Sequence, residues 1–405
     1  MNKIFKITAL LLFVVTMSSL QSCKKYFGEN TDLSFIDTPD FQQRQIAYVP
    51  IQPAITNLDN PTDVKAGFDE LIYVVDAGTE QIISYDQSGR ELARLNIQGV
   101  TKVAQDRKLD LLAVGTSDKW IKSGPNDSVM YEVACVYRIK QYNNGLYGLN
   151  HAQVIKEAVH PEYFKTINFS SNDATVRFNG IAVNGDNSYY VTRVGNSQSL
   201  TQIGGPDDAV LVFDKNGQFV STISVNTSSG FFRDYFKKPF GITTLCQPPQ
   251  ITASNSKDFI FTSTDPNVPF KVQYIEYVES EFGAQYNPRP LAFKDTTVAD
   301  GAITDPGKFI NPSGVTVTGD GTNYIFVTDS EKDSLYQFTI TGFEGIRPPP
   351  GSVSNKYVKA SFGGTGINLS QFDEPGAVAY LGRYVFVADT KNRRILRFRL
   401  TIDFN

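Results

Sequence analysis

Three aspartates, Asp76, Asp329 and Asp389, each close an apolar run (IYVVD, IFVTD and YVFVAD) and each open a polar turn. A carboxylate at a strand end is a common general base or metal ligand, so these are the first residues to test for chemistry. Such chemistry needs partners, and the chain supplies few. Its two histidines, His151 and His160, lie close together in one segment, too few for a zinc ligand set. No GxSxG, CxxC or phosphate-cradling glycine loop is present. The aspartates also repeat in one register: Phe386, Phe326 and Tyr73 precede them at a common offset, and Phe398, Phe338 and Tyr85 follow at another. A residue that recurs this way argues for a structural task, a carboxylate accepting backbone N–H groups of the turn it begins.

The elements that carry these residues form a repeat. Phe372 to Leu400 reads as a Pro-Gly turn, two short apolar strands, a polar turn and a third strand, an antiparallel meander of about thirty residues. The unit returns, with Pro375, Pro312 and Pro61 opening the strand before each aspartate. Weaker copies begin at Phe178, at Lys238 and, most degenerate, at Val100. The hairpins ISYDQSGREL and VFDKNGQFV place Gly89 and Gly217 where a positive φ is required. A sheet this small cannot bury two apolar faces alone, so six such units must stack.

These residues resemble the NHL repeat, a short relative of the WD40 blade, over roughly residues 60 to 400. The match is close at Phe372–Leu400, good at the units near 60 and 309, and only in outline at those near 100, 178 and 238. The resemblance implies an all-β fold, a six-bladed β-propeller of four-stranded antiparallel blades. Near-continuous apolar strands fit sheets covered on both faces. The last unit has only three strands before the C-terminus, so residues 43 to 55 (QRQIAYVPIQPAI) are expected to supply its fourth and close the ring. In this register Cys135 and Cys246 fall in blades 2 and 4, too far apart for a disulfide, and are expected to be buried free thiols.

The N-terminus reads differently. Lys3 and Lys6 precede an apolar run from Ile7 to Met17, too short to span a bilayer as a helix. Leu20, Ser22 and Cys23 resemble a bacterial lipobox, which implies a signal peptide over 1–22, lipidation of Cys23 and, with Lys24 and Lys25 following, an exported outer-membrane lipoprotein. Residues 23–42 read as a tether and 43–405 as the propeller. The formal net charge is −4, and removal of Lys3 and Lys6 makes the chain more acidic still. That excludes the basic footprint with which some NHL propellers bind RNA, and nucleic acid is not an expected partner.

Candidate binding residues follow from the loops. Four turns between second and third strands are short; Gly115 to Val129 and Arg193 to Asp208, in neighbouring blades 2 and 3, are long and lack the anchor aspartate. Trp120, on the first, either packs its own loop down or offers a platform to a sugar or a partner side chain. Arg193 begins the second. The connections before blades 3 and 4 carry His160, Tyr163, Phe164 and Arg177, then Phe231, Phe232, Arg233, Tyr235 and Phe236. Trp120, Arg177, Arg193, Arg233 and Tyr235 are therefore the expected binding surface, aromatic and Arg side chains being the usual anchors of an interface. Neither catalytic residue nor cofactor is assigned. Partners are expected to be an envelope protein or extracellular ligand, and the membrane through the lipid anchor. The alternative is a metal-dependent hydrolase or lyase. Propellers of the gluconolactonase type bind metal at the channel mouth, and Asp63, Asn179, Asn311 and Glu374 would have to converge there.

Overall fold

The computed structural model describes residues 47–404 except 125–126, 165–168, 170–171, 196–206, 251–255, 282 and 349. The signal peptide, Cys23 and the tether lie outside the described residues.

Each repeat forms one sheet. Blade 1 is built from Pro61–Ala66, Ile72–Asp76, Gln81–Tyr85 and Glu91–Asn96, and blade 2 from Lys102–Gln105, Leu111–Gly124, Asp127–Lys140 and Gln153–Val159. Blade 3 comprises Arg177–Val183, Tyr189–Val194, Ala209–Phe213 and Phe219–Thr222; blade 4, Pro239–Thr244, Phe259–Ser263, Val272–Ser280 and Gly283–Arg289. Blade 5 has Pro312–Val317, Ile325–Asp329, Ser334–Phe338 and the short Phe362–Gly363. Blade 6 joins Pro375–Leu381, Tyr384–Asp389 and Arg394–Leu400 to Tyr48–Ile55. The first strand of every blade packs against the first strand of the next, blade 6 against blade 1, which makes the molecule a six-bladed propeller. Closure is as expected: Tyr48 pairs with Leu400 and Ile55 with Ile395, antiparallel.

The continuous apolar strands are explained by six buried clusters, one between each pair of neighbouring blades. Alternate residues of a strand serve opposite neighbours. Val74 packs toward blade 6, and Tyr73 and Val75 toward blade 2. Val191 packs toward blade 2, and Tyr190 toward blade 4. Full burial of a Val, Tyr or Phe in such a layer is worth roughly 1.5–3 kcal/mol, so each interface holds its two blades in register.

The repeat register is visible in the pairing. Pro61 lies opposite Asp76, Pro312 opposite Asp329 and Pro375 opposite Asp389, with a bulge following each. Phe178 opposite Arg193 and Pro239 opposite Ser263 are the same position in blades 3 and 4. The anchor carboxylates are buried, but their task is wider than capping their own turn. Asp329 accepts N–H groups of Glu331 and Lys332 in its turn, and also those of Ile310 and Asn311 just before the inner strand. Asp76 holds only the latter kind, from Asp59 and Asn60 at 3.0 and 2.7 Å. Asp389 takes the Asp373 N–H at 2.7 Å together with Asn392 and Arg394. Burial pushes the Asp389 carboxyl up, and these donors pull it back.

Two departures from the repeat bear on function. The Gly115–Val129 insertion is no loop. Strands two and three of blade 2 run on past the sheet as a paired hairpin, with Trp120 opposite Met130, so its backbone is satisfied by cross-strand pairing. The connection before blade 4 forms a second hairpin, Val225–Thr227 with Gly230–Phe232, added to the outer edge of blade 4 through a parallel pairing of Val225 with Tyr286. Gly89 and Gly217 have φ of 89° and 79°, as their hairpins require.

Candidate functional site

Because strands alternate in direction, the starts of the inner strands, the turns between second and third strands and the outer-to-inner connections share one face. At its centre the channel is closed. Gly314 lets the inner strands of blades 5 and 6 approach so nearly that a Cβ there would stand 2.7 Å from the Ala377 Cα. The space left among Asp63, Lys65, Lys102, Gly241 and Ala377 is about 10 Å³, room for roughly one water.

Lys102, the first residue of the blade 2 inner strand, is buried in that mouth. Its Nζ donates to the carbonyls of Thr62 at 2.9 Å and Gly376 at 3.3 Å, lies 3.9 Å from Asp63 Oδ1 and stands 5.4 Å from the Phe240 ring centroid. Burial lowers its pKa, and the Asp63 charge opposes that. The metal alternative fails here on geometry. Asp63 is committed to Lys102 and to the Val103 N–H at 2.9 Å, Asn311 to Ser330, and Glu374 to Lys391. An ammonium already meets the carboxylate and carbonyls that a cation would need. Among the described residues no group of three His, Cys, Asp or Glu side chains could hold a metal.

The expected binding residues are not one surface. Trp120 is 70 % exposed on the hairpin, so it does not pack its own segment down. Arg177 is exposed and donates to the carbonyls of Ala174 and Val176. Arg193 is the main correction: it is fully buried. It sits at the anchor position, where blades 1, 5 and 6 bury an aspartate, and a buried guanidinium must be paired. Its Nε donates to the Asp207 carbonyl at 2.9 Å, one terminal nitrogen to the Asp207 carboxylate and the other to the Tyr163 hydroxyl at 3.0 Å. Arg233 meets the other Asp207 oxygen at 2.7 Å. His160 continues the network, its Nε2 3.1 Å from Asp173 and its Nδ1 3.4 Å from the Tyr163 hydroxyl. These groups staple the connections before blades 3 and 4 to the blade 3 sheet. Most of the blade 3 insertion lies outside the described residues. The buried free thiols Cys135 and Cys246 are where the register puts them, Cys246 just past the inner strand of blade 4, and burial pushes the Cys135 thiol up to about 12.

Tyr235 is placed differently. It lines a cleft of about 240 Å³ over blade 4 on the loop face, with Phe270, Gln273, Tyr274, Arg289 and Phe293. Its hydroxyl donates to Gln273 Oε1 at 2.5 Å, and Gln273 Nε2 donates to the Phe270 carbonyl at 3.1 Å, which fixes that amide as part of the wall. Phe270 and Phe293 stand edge to face at 6.2 Å, 43 % and 67 % exposed. The Arg289 guanidinium lies 4.6 Å from the Tyr274 ring centroid. Reading the sequence passed over these residues because Phe270 sits in a turn noted only as short. The signal available was the long connection from Pro290 to Asn311, which carries Phe293 and was not weighed.

No protein-family model matches the chain, and no curated protein does. Solved structures of propellers do resemble it. An auxiliary nutrient binding protein from Bacteroides ovatus matches at TM-score 0.52 and 9 % identity over 88 % of this chain and 77 % of that one. The PQQ-bound aldose sugar dehydrogenase of Streptomyces coelicolor matches at 0.50 and 12 %, over 88 % and 98 %. A gluconolactonase from Xanthomonas campestris reaches 0.45 and 9 %, over 86 % and 88 %. At such identities the likeness is one of fold.

Proposed function

We propose that the chain is a divergent NHL-repeat propeller, exported, lipidated on Cys23 and tethered by residues 23–42 to the outer membrane. There it works without catalysis, binding a small ligand or a segment of a partner protein for nutrient capture or envelope assembly. One observation carries the reading: the loop face holds an uncovered aromatic cleft at Tyr235, Phe270 and Phe293, while the axial mouth is filled by Lys102. Pockets of mainly apolar lining with a few placed polar groups are the usual form of a ligand site. Large aromatics left in water cost stability unless something covers them. The Bacteroides ovatus propeller is named for nutrient binding, a role of the same kind.

The test has two arms. In a producing bacterium, Cys23→Ala should release the protein from the membrane; normal anchoring of that variant would remove the lipoprotein part. For binding, the purified full chain is screened by thermal shift against sugars, amino acids, short peptides and small organic acids, beside Phe293→Ala and Trp120→Ala. A ligand that stabilises the parent and Trp120→Ala but not Phe293→Ala supports the cleft. Ligands that act equally on all three chains place binding elsewhere.

A further inference from the structure

The cleft over blade 4 is asymmetric in charge. Its walls are Tyr235, Phe270, Tyr274, Phe293 and flanking apolar residues, and its single charged lining group is Arg289. Arg289 is half-buried, and no carboxylate among the described residues forms an ion pair with it. Elsewhere the arginines that lean on the fold have acids: Arg138 meets Asp106, Asp110 and Glu157, Arg394 meets Asp389, and Arg193 and Arg233 share Asp207. The position of Arg289 is also held. It pairs across the strand with Tyr274, whose ring it covers, and it stands between Pro288 and Pro290, whose rings fix φ on either side. A guanidinium so placed has its fork of donors free for a planar anion.

Resting on the cleft reading above, we infer that this site takes a small carboxylic acid with an aromatic or apolar body. The body lies between Phe270 and Phe293 and against Tyr235; the carboxylate meets Arg289. The volume supports a small molecule, since about 240 Å³ falls just under the roughly 300–1,000 Å³ of drug-sized sites. One guanidinium matches one monoanion. A phosphate or a polyanion would need further cations, and the nearest candidate, Lys271, turns its amine to the Asp265 carbonyl.

The experiment titrates 3-phenylpropionate and its neutral amide, 3-phenylpropionamide, into the full chain by calorimetry, with melting temperatures recorded for every variant. The acid is expected to bind at least about ten-fold tighter than the amide, a difference of about 1.4 kcal/mol. Arg289→Gln should abolish that preference while leaving amide binding in place; Arg289→Lys, which keeps the charge without the fork, should retain part of it. Phe293→Ala should weaken both ligands. Equal binding of acid and amide to the parent, unchanged in Arg289→Gln, would overturn the anion seat and leave the cleft as a binding site. Absence of binding by either probe to a folded parent would overturn the seat, and if no screened ligand distinguished Phe293→Ala either, the cleft reading falls with it.

Discussion

Replacing Asp207 by Asn tests the buried network most directly. The change keeps the shape of the side chain and removes the one charge that two guanidiniums share. Arg233 is partly exposed, about 21 % by its side chain, and has a route to water. Arg193 has none, its side chain being 0 % exposed. Leaving a buried charge without its partner costs about 3–5 kcal/mol. The propeller unit spans Ile46–Asn405, about 360 residues, and at about 2.1 cal/mol/K per residue its unfolding entropy is about 0.75 kcal/mol/K. The expected fall in Tm is therefore about 4–7 °C. Arg193→Met should cost less, because Asp207 keeps Arg233, and the double variant should cost less than the two single changes added together, since it removes both members of one pair. The assay is reversible thermal unfolding by circular dichroism in moderate salt, where exposed ion pairs are screened and this one is not. An exposed Arg193, as the insertion alone implied, would make both single variants melt like the parent. A Tm for Asp207→Asn within about 1 °C of the parent would refute the buried pair.

Deleting residues 24–40 should leave Tm unchanged, whereas extending the deletion to 56 removes the strand Tyr48–Ile55 and should lower it sharply; equal melting would refute closure by that strand. The thiols of Cys135 and Cys246 should resist disulfide-exchange reagent in the native chain and react fully when denatured. Because the folded Cys135 pKa is raised to about 12 from 9.0, its contribution is whole below pH 9 and is lost as pH rises from 9 toward 12, so Cys135→Ala should flatten the alkaline loss of stability over that window. Calcium or a chelator should not move the Tm of the parent, since the Lys102 ammonium holds the axial mouth; a calcium-dependent rise of several degrees, abolished by Asp63→Asn, would reinstate a metal there.

The fold was legible because its information is periodic. Each unit repeats its opener, its anchor and its two aromatics, and a three-stranded last unit leaves one place for an unpaired N-terminal strand. The cleft was not legible because its residues belong to no period: Tyr235 precedes blade 4, Phe270 is in a turn, Arg289 ends an outer strand and Phe293 opens a long connection. Only the ring of blades brings them together. Trp120 was legible as unusual but not in its setting, since a paired hairpin and an open loop of that length have the same composition of Gly, Ser, Lys and Asp.

Arg193 shows where the register held more than was drawn from it. Its position lies opposite the opener of the inner strand, and in blades 1, 5 and 6 the residue there is fully buried. A substituent at that place inherits the burial whatever its type, so an arginine there has to bring an acceptor with it. The acceptor is Asp207, at the far end of the same insertion. Exchanging an acceptor for a donor also strands the N–H groups that the aspartate would have taken, and the next residue answers that need: Asp208 accepts the Gly195 N–H at 3.2 Å and the Lys238 N–H at 2.8 Å, just before the blade 4 inner strand. The Asp207-Asp208 pair thus replaces one anchor by two groups, one for the reversed charge and one for the backbone. Asp208→Ala should accordingly loosen the entry to blade 4, seen as faster amide exchange at Lys238, while Asp207→Asn should leave that amide protected; the opposite pattern would mean that the two carboxylates have been given each other's tasks.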